Sequence, residues 1–243
     1  MKRIIISLLA ALAIPFNLAA QSPLTYYSEQ PNPAWSGEHS KWRIDINGGY
    51  GARLGKLPET DDEYMLNHAS RLRYGFEYNG GVSYFFNDNY GLGIKAANMR
   101  TGSTDIATQI DELGNEHTGK FQEKIDITYI GAAFAERSFS ANGKHSLFCE
   151  IGFGYLAYND NLTLVQQSLL LKGASLGENF SLGYDYFITP KIAIGISAEA
   201  IFGKLNNVTL IDGNKRPQKI DFEKDQLETL SSVTANIGLR FNL

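Results

Sequence analysis

Eight stretches of the chain alternate between apolar and polar or small residues with a period of two. That period puts successive side chains on opposite faces of a strand. KWRIDINGGYGARLG sets Trp42, Ile44, Ile46, Tyr50, Ala52 and Leu54 against Arg43, Asp45, Asn47 and Arg53. RLRYGFEYNGGVSYFF sets Leu72, Tyr74, Phe76, Tyr78, Val82, Tyr84 and Phe86 against Arg73, Glu77, Asn79 and Ser83. In YGLGIKAANM, Tyr90, Leu92, Ile94 and Ala96 oppose Gly91, Gly93 and Lys95. FQEKIDITYIGAAFAERSF reads as Ile125, Ile127, Tyr129, Gly131, Ala133 and Ala135 against Lys124, Asp126, Thr128 and Glu136. HSLFCEIGFGYLAY sets Leu147, Cys149, Ile151, Phe153 and Tyr155 against Phe148, Glu150, Gly152 and Gly154. ASLGENFSLGYDYF and KIAIGISAEAIFG continue the pattern, with Asn179, Ser181 and Asp185, then Ser197 and Glu199, on the polar side. The last run, LSSVTANIGLRFNL, opposes Ala235, Ile237, Leu239, Phe241 and Leu243 to Asn236, Gly238, Arg240 and Asn242.

Alternation alone fits two architectures. A soluble exported barrel turns its apolar face inward, whereas a membrane barrel turns it outward to lipid. The connections separate the two. They run long and short in turn. The long ones cover 56–71, 100–120, 159–173 and 204–226, and the short ones are NDN (Asn87 to Asn89), SANGK (Ser140 to Lys144) and TP (Thr189, Pro190). Short turns on one side and long connections on the other characterise outer-membrane barrels. Aromatic residues, 12% of the chain, mark two levels. Trp42, Tyr84, Phe86, Tyr90, Phe139, Tyr184, Tyr186 and Phe241 fall near the short turns, and Tyr50, Tyr74, Phe121, Tyr155 and Phe202 near the long connections. Such belts form where amphipathic rings meet lipid headgroups. Lipid cannot hydrogen-bond the backbone, so a closed sheet is the form that leaves no unpaired edge. The predicted fold is therefore all-β. It is an eight-stranded antiparallel up-and-down transmembrane β-barrel with short periplasmic turns and four longer external loops.

Lys2 and Arg3 precede an apolar run, Ile4 to Phe16, and then NLAA. This reads as a secretory leader over residues 1–20, cut after Ala20 and too short to span a bilayer. Residues 21–40, with Pro23, Pro31 and Pro33, read as an extended periplasmic segment, and 41–243 as the outer-membrane barrel domain. Without Lys2 and Arg3 the formal charge of -4 becomes -6, and no basic block is present, which argues against nucleic acid as a partner. Cys149 is the only cysteine, so no internal disulfide is expected.

The candidate functional site is the inward face. Arg43, Arg53, Arg73, Lys95, Lys124 and Arg240 meet Asp45, Glu77, Asp126, Glu136, Glu150, Asp185 and Glu199 there. An eight-stranded barrel is just wide enough for side chains to fill. The expectation is a packed network of ion pairs and hydrogen bonds that plugs the lumen. The alternative is a narrow pore whose opening exchanges those pairs. Inward glycines make room for the long Arg and Lys stems. Strict alternation leaves Glu123, Arg137 and Glu178 on the lipid face. The first two lie near strand ends, where such a charge costs ~0–1 kcal/mol. Glu178 calls for a bulge near Gly177 or a higher membrane boundary.

Catalytic signatures are weak. No CxxC, HExxH or GxSxG occurs, and the GxG triplets lie inside strands. For lipid A-modifying chemistry the outer rim offers His68 with Ser70 and Glu63, or His117 with Glu116. The expectation is a non-enzymatic protein without cofactor or metal. The acidic run ETDDE (Glu59 to Glu63) matches no defined calcium loop. VQQSLLLKG (Val165 to Gly173) is the most apolar external segment, either a strand extension or a contact surface.

The closing run also resembles something known. Ile237, Leu239, Phe241 and Leu243 are similar to the alternating C-terminal signal read by the barrel-assembly machinery, which usually ends in an aromatic residue; here Phe241 stands two residues before the final Leu243. With the leader and the eight runs, GLRFNL resembles the small outer-membrane β-barrel families of Gram-negative bacteria. These include the OmpX/OmpA-type and opacity-like barrels and the porin-family barrels of the Bacteroidetes. The resemblance covers about residues 41–243. It implies an outer-membrane location, contact with outer-membrane lipid and lipopolysaccharide, and handling by the assembly machinery. It implies no activity, because this fold hosts structural proteins, adhesins and enzymes alike.

Overall fold

Each of the eight alternating stretches forms a strand. The computed structural model describes residues 39–55, 62–110, 115–165, 167–213, 215–223 and 228–243. The expected leader, the tail up to residue 38 and Glu59 to Asp61 of the acidic run lie outside the described residues. In chain order the elements are β1 (Trp42–Arg53), α1 (Glu63–Arg71), β2 (Tyr74–Phe85), β3 (Tyr90–Ile110), β4 (Glu116–Phe139), β5 (His145–Leu164), β6 (Gln167–Thr189), β7 (Ile192–Leu205), three short strands β8 (Asn207–Asp212), β9 (Gln218–Asp221) and β10 (Glu228–Thr229), and β11 (Ser232–Asn242). Strands β1 to β7 pair in sequence, β7 pairs with β11, and β11 returns to β1, all antiparallel. This is a closed eight-stranded ring.

The register sets the shape of the ring. Cα partners lead from Arg43 through Ser83, Gly93, Ala133, Gly152, Asn179, Ile201 and Ser232 back to β1 at Arg53, ten residues further on. With a rise of ~3.3 Å per residue and ~4.8 Å between strands, that stagger tilts the strands about 40° from the axis.

The three short turns are built by side chains that accept backbone N–H groups. Asn87 Oδ1 accepts from Asn89 N and Tyr90 N, at 3.0 and 2.7 Å. Thr189 Oγ1 accepts from Lys191 N and Ile192 N, at 3.3 and 3.0 Å. The middle turn bends at Gly143, whose φ of 69° suits a residue without Cβ.

The outward face carries the apolar band. Ile46, Phe76, Tyr78, Leu92, Ile94, Phe153, Leu182, Ile194, Ile196 and Ile237 are all exposed. A water-soluble barrel would hide these side chains. Glu178 does lie on this face, opposite Phe153 on one side and Phe202 on the other. The β6–β7 register runs unshifted past Gly177, so no bulge absorbs the charge; it sits at the level of the outer aromatic belt.

Strand β4 faces the opposite way from the sequence reading. Phe121, Ile125, Ile127, Tyr129, Ala133, Ala135 and Arg137 are buried inside, while Ile130, Ala132 and Phe134 are exposed outside. Lys124, Asp126 and Glu136, expected in the lumen, therefore belong to the outward side. Asp126 instead pairs with the exposed Arg100 on β3, at 2.5 Å. The physical reason is local. Between Tyr129 and Ala135 both faces are apolar or small, so alternation there carries no sign, and Lys124 and Asp126 lie above the apolar band, where the outward side is wet and tolerates charge.

The external connections hold more strand than loop. β3 and β4 run on as a ladder up to the pair Ile110↔Glu116, and β5 and β6 up to Leu164↔Gln167. The apolar stretch after Val165 is thus a strand extension, and β8 adds to its edge through Leu169 to Lys172. Pairing of β2 with β3 ends at Gly75↔Thr101, which leaves the far half of β3 with a free edge. Helix α1 covers that edge. Asp62 caps its N-terminus by accepting from Tyr64 N and Met65 N. Tyr64 Oη then donates to Ile106 O at 3.3 Å, and Arg71 Nε to Ser103 Oγ at 3.0 Å.

Candidate functional site

Inside the ring, side chains from all eight strands meet in layers. At the periplasmic base Arg137 lies over the Phe85 ring at 3.8 Å and Arg43 over Phe148 at 4.1 Å. Arg137 donates from Nε to Asp88 O and from Nη2 to Ser40 O, both 2.8 Å. Strict alternation turns this arginine toward lipid. It instead closes the base of the barrel, with Phe139, which stacks on His39 at 3.7 Å and so belongs to the base rather than to the lipid-facing belt near the short turns.

The middle layer contains two charge triads of opposite sign. Asp185 accepts from Arg43 Nη1 at 2.5 Å and from Arg240 Nε at 3.1 Å. Lys95 Nζ lies 3.2 Å from Glu150 and 3.0 Å from Glu199. Two cations with one anion sit in the same lumen as one cation with two anions, so the two triads balance each other, and Asp45 and Glu77 add further negative charge to the layer. Amides and a hydroxyl link the rest. Asn47 Nδ2 donates to Asp45 and Asn79, at 3.0 and 2.7 Å, and its carbonyl accepts from Arg240. Asn79 and Thr234 donate to the two oxygens of Glu77, both at 2.9 Å, and Asn179 donates to Glu199 at 2.7 Å. Gly195 leaves the space that this layer needs, because a Cβ there would collide with Asp185 and the Arg240 guanidinium. Asn47, Asn79, Asn179 and Thr234 are members that charge alone does not pick out.

Above this layer the lumen turns apolar. Ile125, Ile127, Tyr129, Leu156, Ile201 and Leu205 pack together, with Leu72 and Leu230 brought in from the external connections. The inverted β4 supplies half of the first six.

The external mouth holds a second polar cluster. His68, on the buried side of α1, has Nδ1 3.0 Å from Asp105 and Nε2 3.0 Å from Glu123, and its ring stacks on Phe121 at 4.2 Å. Phe121 is therefore inside and not part of the outer belt. Hydrogen bonds from His68 and from Arg71 hold the Asp105 carboxyl below the usual carboxylate range. Ser70 donates to Asn67 O at 2.9 Å, so it does not join His68 and Glu63 in a catalytic arrangement. Beside this cluster is a cavity of about 210 Å³. Arg73 lines it with Arg53, Glu123 and Glu228 over Leu72, Ile125 and Tyr158. Arg73 thus sits at the mouth and not in the central network. Asp160 lies under the same roof, bonded to Tyr158 Oη at 3.3 Å; burial first, and the nearby Glu123 second, push its carboxyl up to about 7.

No protein-family model matches the sequence, and no curated relative matches it. Solved structures do. The outer membrane protein OprG from Pseudomonas aeruginosa is 12% identical, with 85% of this chain and 98% of that chain covered at a TM-score of 0.53. A major outer membrane protein from Thermus thermophilus is 11% identical, with 84% and 99% covered at a TM-score of 0.50. The chain has the fold of the small outer-membrane β-barrels. At these identities the likeness concerns architecture, and it agrees with the closed ring and the outward apolar band. It assigns no role to the mouth cluster or the lumen triads.

Proposed function

We propose that this barrel is a non-enzymatic integral protein of a Gram-negative outer membrane, with a closed lumen, that serves envelope structure or presents its external sheet to partners. The reading includes export by the leader at residues 1–20, contact with outer-membrane lipid and lipopolysaccharide, and insertion by the assembly machinery through Ile237, Leu239, Phe241 and Leu243. One observation carries it. The charged groups of the middle layer are out of reach of water: Glu77 and Asp185 are 0% exposed, and Arg43, Lys95, Glu150, Glu199 and Arg240 are each 2% exposed. A water-filled channel would wet them. An apolar layer above and stacked arginines below reinforce the closure. A non-catalytic role is supported by His68, whose two ring nitrogens are both engaged by carboxylates.

Planar-bilayer recording tests the proposal. Refolded protein is expected to insert without conductance steps. Regular steps of a defined size would replace a structural barrel by a pore. Lipid A from a strain lacking the protein is expected to have an unchanged mass spectrum, and a missing modification would make it an enzyme.

A further inference from the structure

We propose that the cavity at the external mouth is a binding site for a small carboxylate with an apolar body, held by Arg73. The site lies above the closed part of the lumen, so it stands whether or not the barrel conducts. Three observations point there. First, the charges lining the cavity are unevenly engaged. Glu123 is bound to His68, and Glu228 accepts from Arg53 Nη2 at 3.0 Å. Among the described residues Arg73 has neither an ion pair nor a hydrogen bond to its guanidinium, although it is half-buried. Second, Arg53, only 8% exposed, has an Nε without a partner among the described residues. The cavity is therefore lined by one uncommitted cation, Arg73, which suits an anion, and by an arginine whose buried Nε is also unpartnered. A guanidinium is the side chain whose planar fork matches a carboxylate in two parallel bonds. Third, the floor is apolar, formed by Leu72, Ile125 and the Tyr158 ring. A bare inorganic anion would leave that surface uncovered. The volume of about 210 Å³ is roughly seven times the ~30 Å³ share of one liquid water, enough for a ring or short chain beside the carboxylate.

The acidic rim sharpens the selection. Glu123 and Glu228 stand beside the arginines, so a multiply charged anion meets repulsion that a monoanion avoids. A cationic ligand would meet Arg53 and Arg73 and would share carboxylates that Arg53 and His68 already engage.

Benzoate is a suitable probe. It is titrated by calorimetry into the full chain refolded in detergent, with benzylamine and inorganic phosphate as the comparison ligands. Arg73→Gln is the test variant, and Arg216→Gln, an exposed external arginine, is the control. Benzoate should bind saturably and at least tenfold more tightly than phosphate or benzylamine. Arg73→Gln should weaken it at least tenfold, and Arg216→Gln less than twofold. In the wild-type chain benzoate should also slow phenylglyoxal modification of Arg73, mapped by mass spectrometry, and leave Arg216 unaffected. That measurement holds the proposal to account even if the Arg73 variant does not refold. Absence of saturable benzoate binding, equal binding by Arg73→Gln, tighter binding of benzylamine, or unprotected Arg73 would each overturn it. Phosphate binding as tight as benzoate would show an anion site without the apolar body and would also overturn it.

Discussion

Replacing Asp185 by alanine is expected to destabilise the barrel by about 3–5 kcal/mol, the usual cost of removing one partner from a buried ion pair. Asp185 is fully buried and is the shared acceptor for Arg43 and Arg240. Its loss leaves two guanidiniums in a dry lumen with Asn47, the Leu239 carbonyl and the Phe148 ring under Arg43 to compensate. The change removes the one anion shared by both guanidiniums, while Asp45, Glu77 and the Lys95 triad keep the rest of the layer formally negative. Urea unfolding in lipid vesicles measures the effect. A midpoint within error of wild type would mean that water reaches Asp185, which the closed lumen excludes. Asp185→Asn should lie between the two, since it keeps one acceptor oxygen but not the charge.

Asp160→Asn is expected to act in the other direction and only above mildly acidic pH. The Asp160 carboxyl is raised from 3.8 to about 7 by burial, with Glu123 adding to the effect. An acid that holds its proton more tightly when folded contributes its full stability below its unfolded pKa. That stability is lost as pH rises to the folded pKa, and the loss is level beyond it. In the wild type the window is therefore about pH 4 to pH 7, and the loss is at most about 4 kcal/mol at 1.36 kcal/mol per unit. The asparagine side chain does not titrate. The variant should match the wild type at pH 4 and exceed it at pH 8, where wild-type Asp160 is an anion among Glu123 and Glu228. Thermal unfolding in detergent, followed at both pH values, checks this. Equal pH dependence in the two proteins would place Asp160 in water rather than under the mouth.

Most of the ring could be read from the chain, for a definite reason. In β1, Arg43, Asp45 and Asn47 alternate with Ile44 and Ile46, so both the strand and its inward side are marked. β7 is marked in the same way by Ile194, Ile196 and Glu199. In β4 the side was not legible. A lumen that is apolar near its top accepts Ile125, Ile127 and Tyr129, while lipid accepts Ile130, Ala132 and Phe134, and no hydrophobicity contrast separates the two sets. Arg137 held the clue, because only the inward parity spares it from lipid. The upper ladders were hidden for a related reason. From Thr101 outward β3 has water on one or both sides and needs no apolar alternation. The mouth cluster was out of reach for another reason. His68, Asp105 and Glu123 come from α1, β3 and β4, and they meet only because the helix covers the free edge of β3. The periodicity of a single strand carries no trace of such a contact.

The central claim is that the Ile and Leu face meets lipid and the charged face is sealed inside, with β4 turned accordingly. Spin-label accessibility measures it directly in a Cys149→Ser background. Labels on Ile194→Cys and Phe134→Cys should collide freely with oxygen dissolved in the bilayer and hardly at all with a water-soluble nickel chelate. A label on Ala133→Cys, one residue from Phe134, should be immobile and shielded from both. Oxygen access at 133 with shielding at 134 would turn β4 back and return Lys124, Asp126 and Glu136 to the lumen. Nickel access at 194 would make the barrel a water-soluble one.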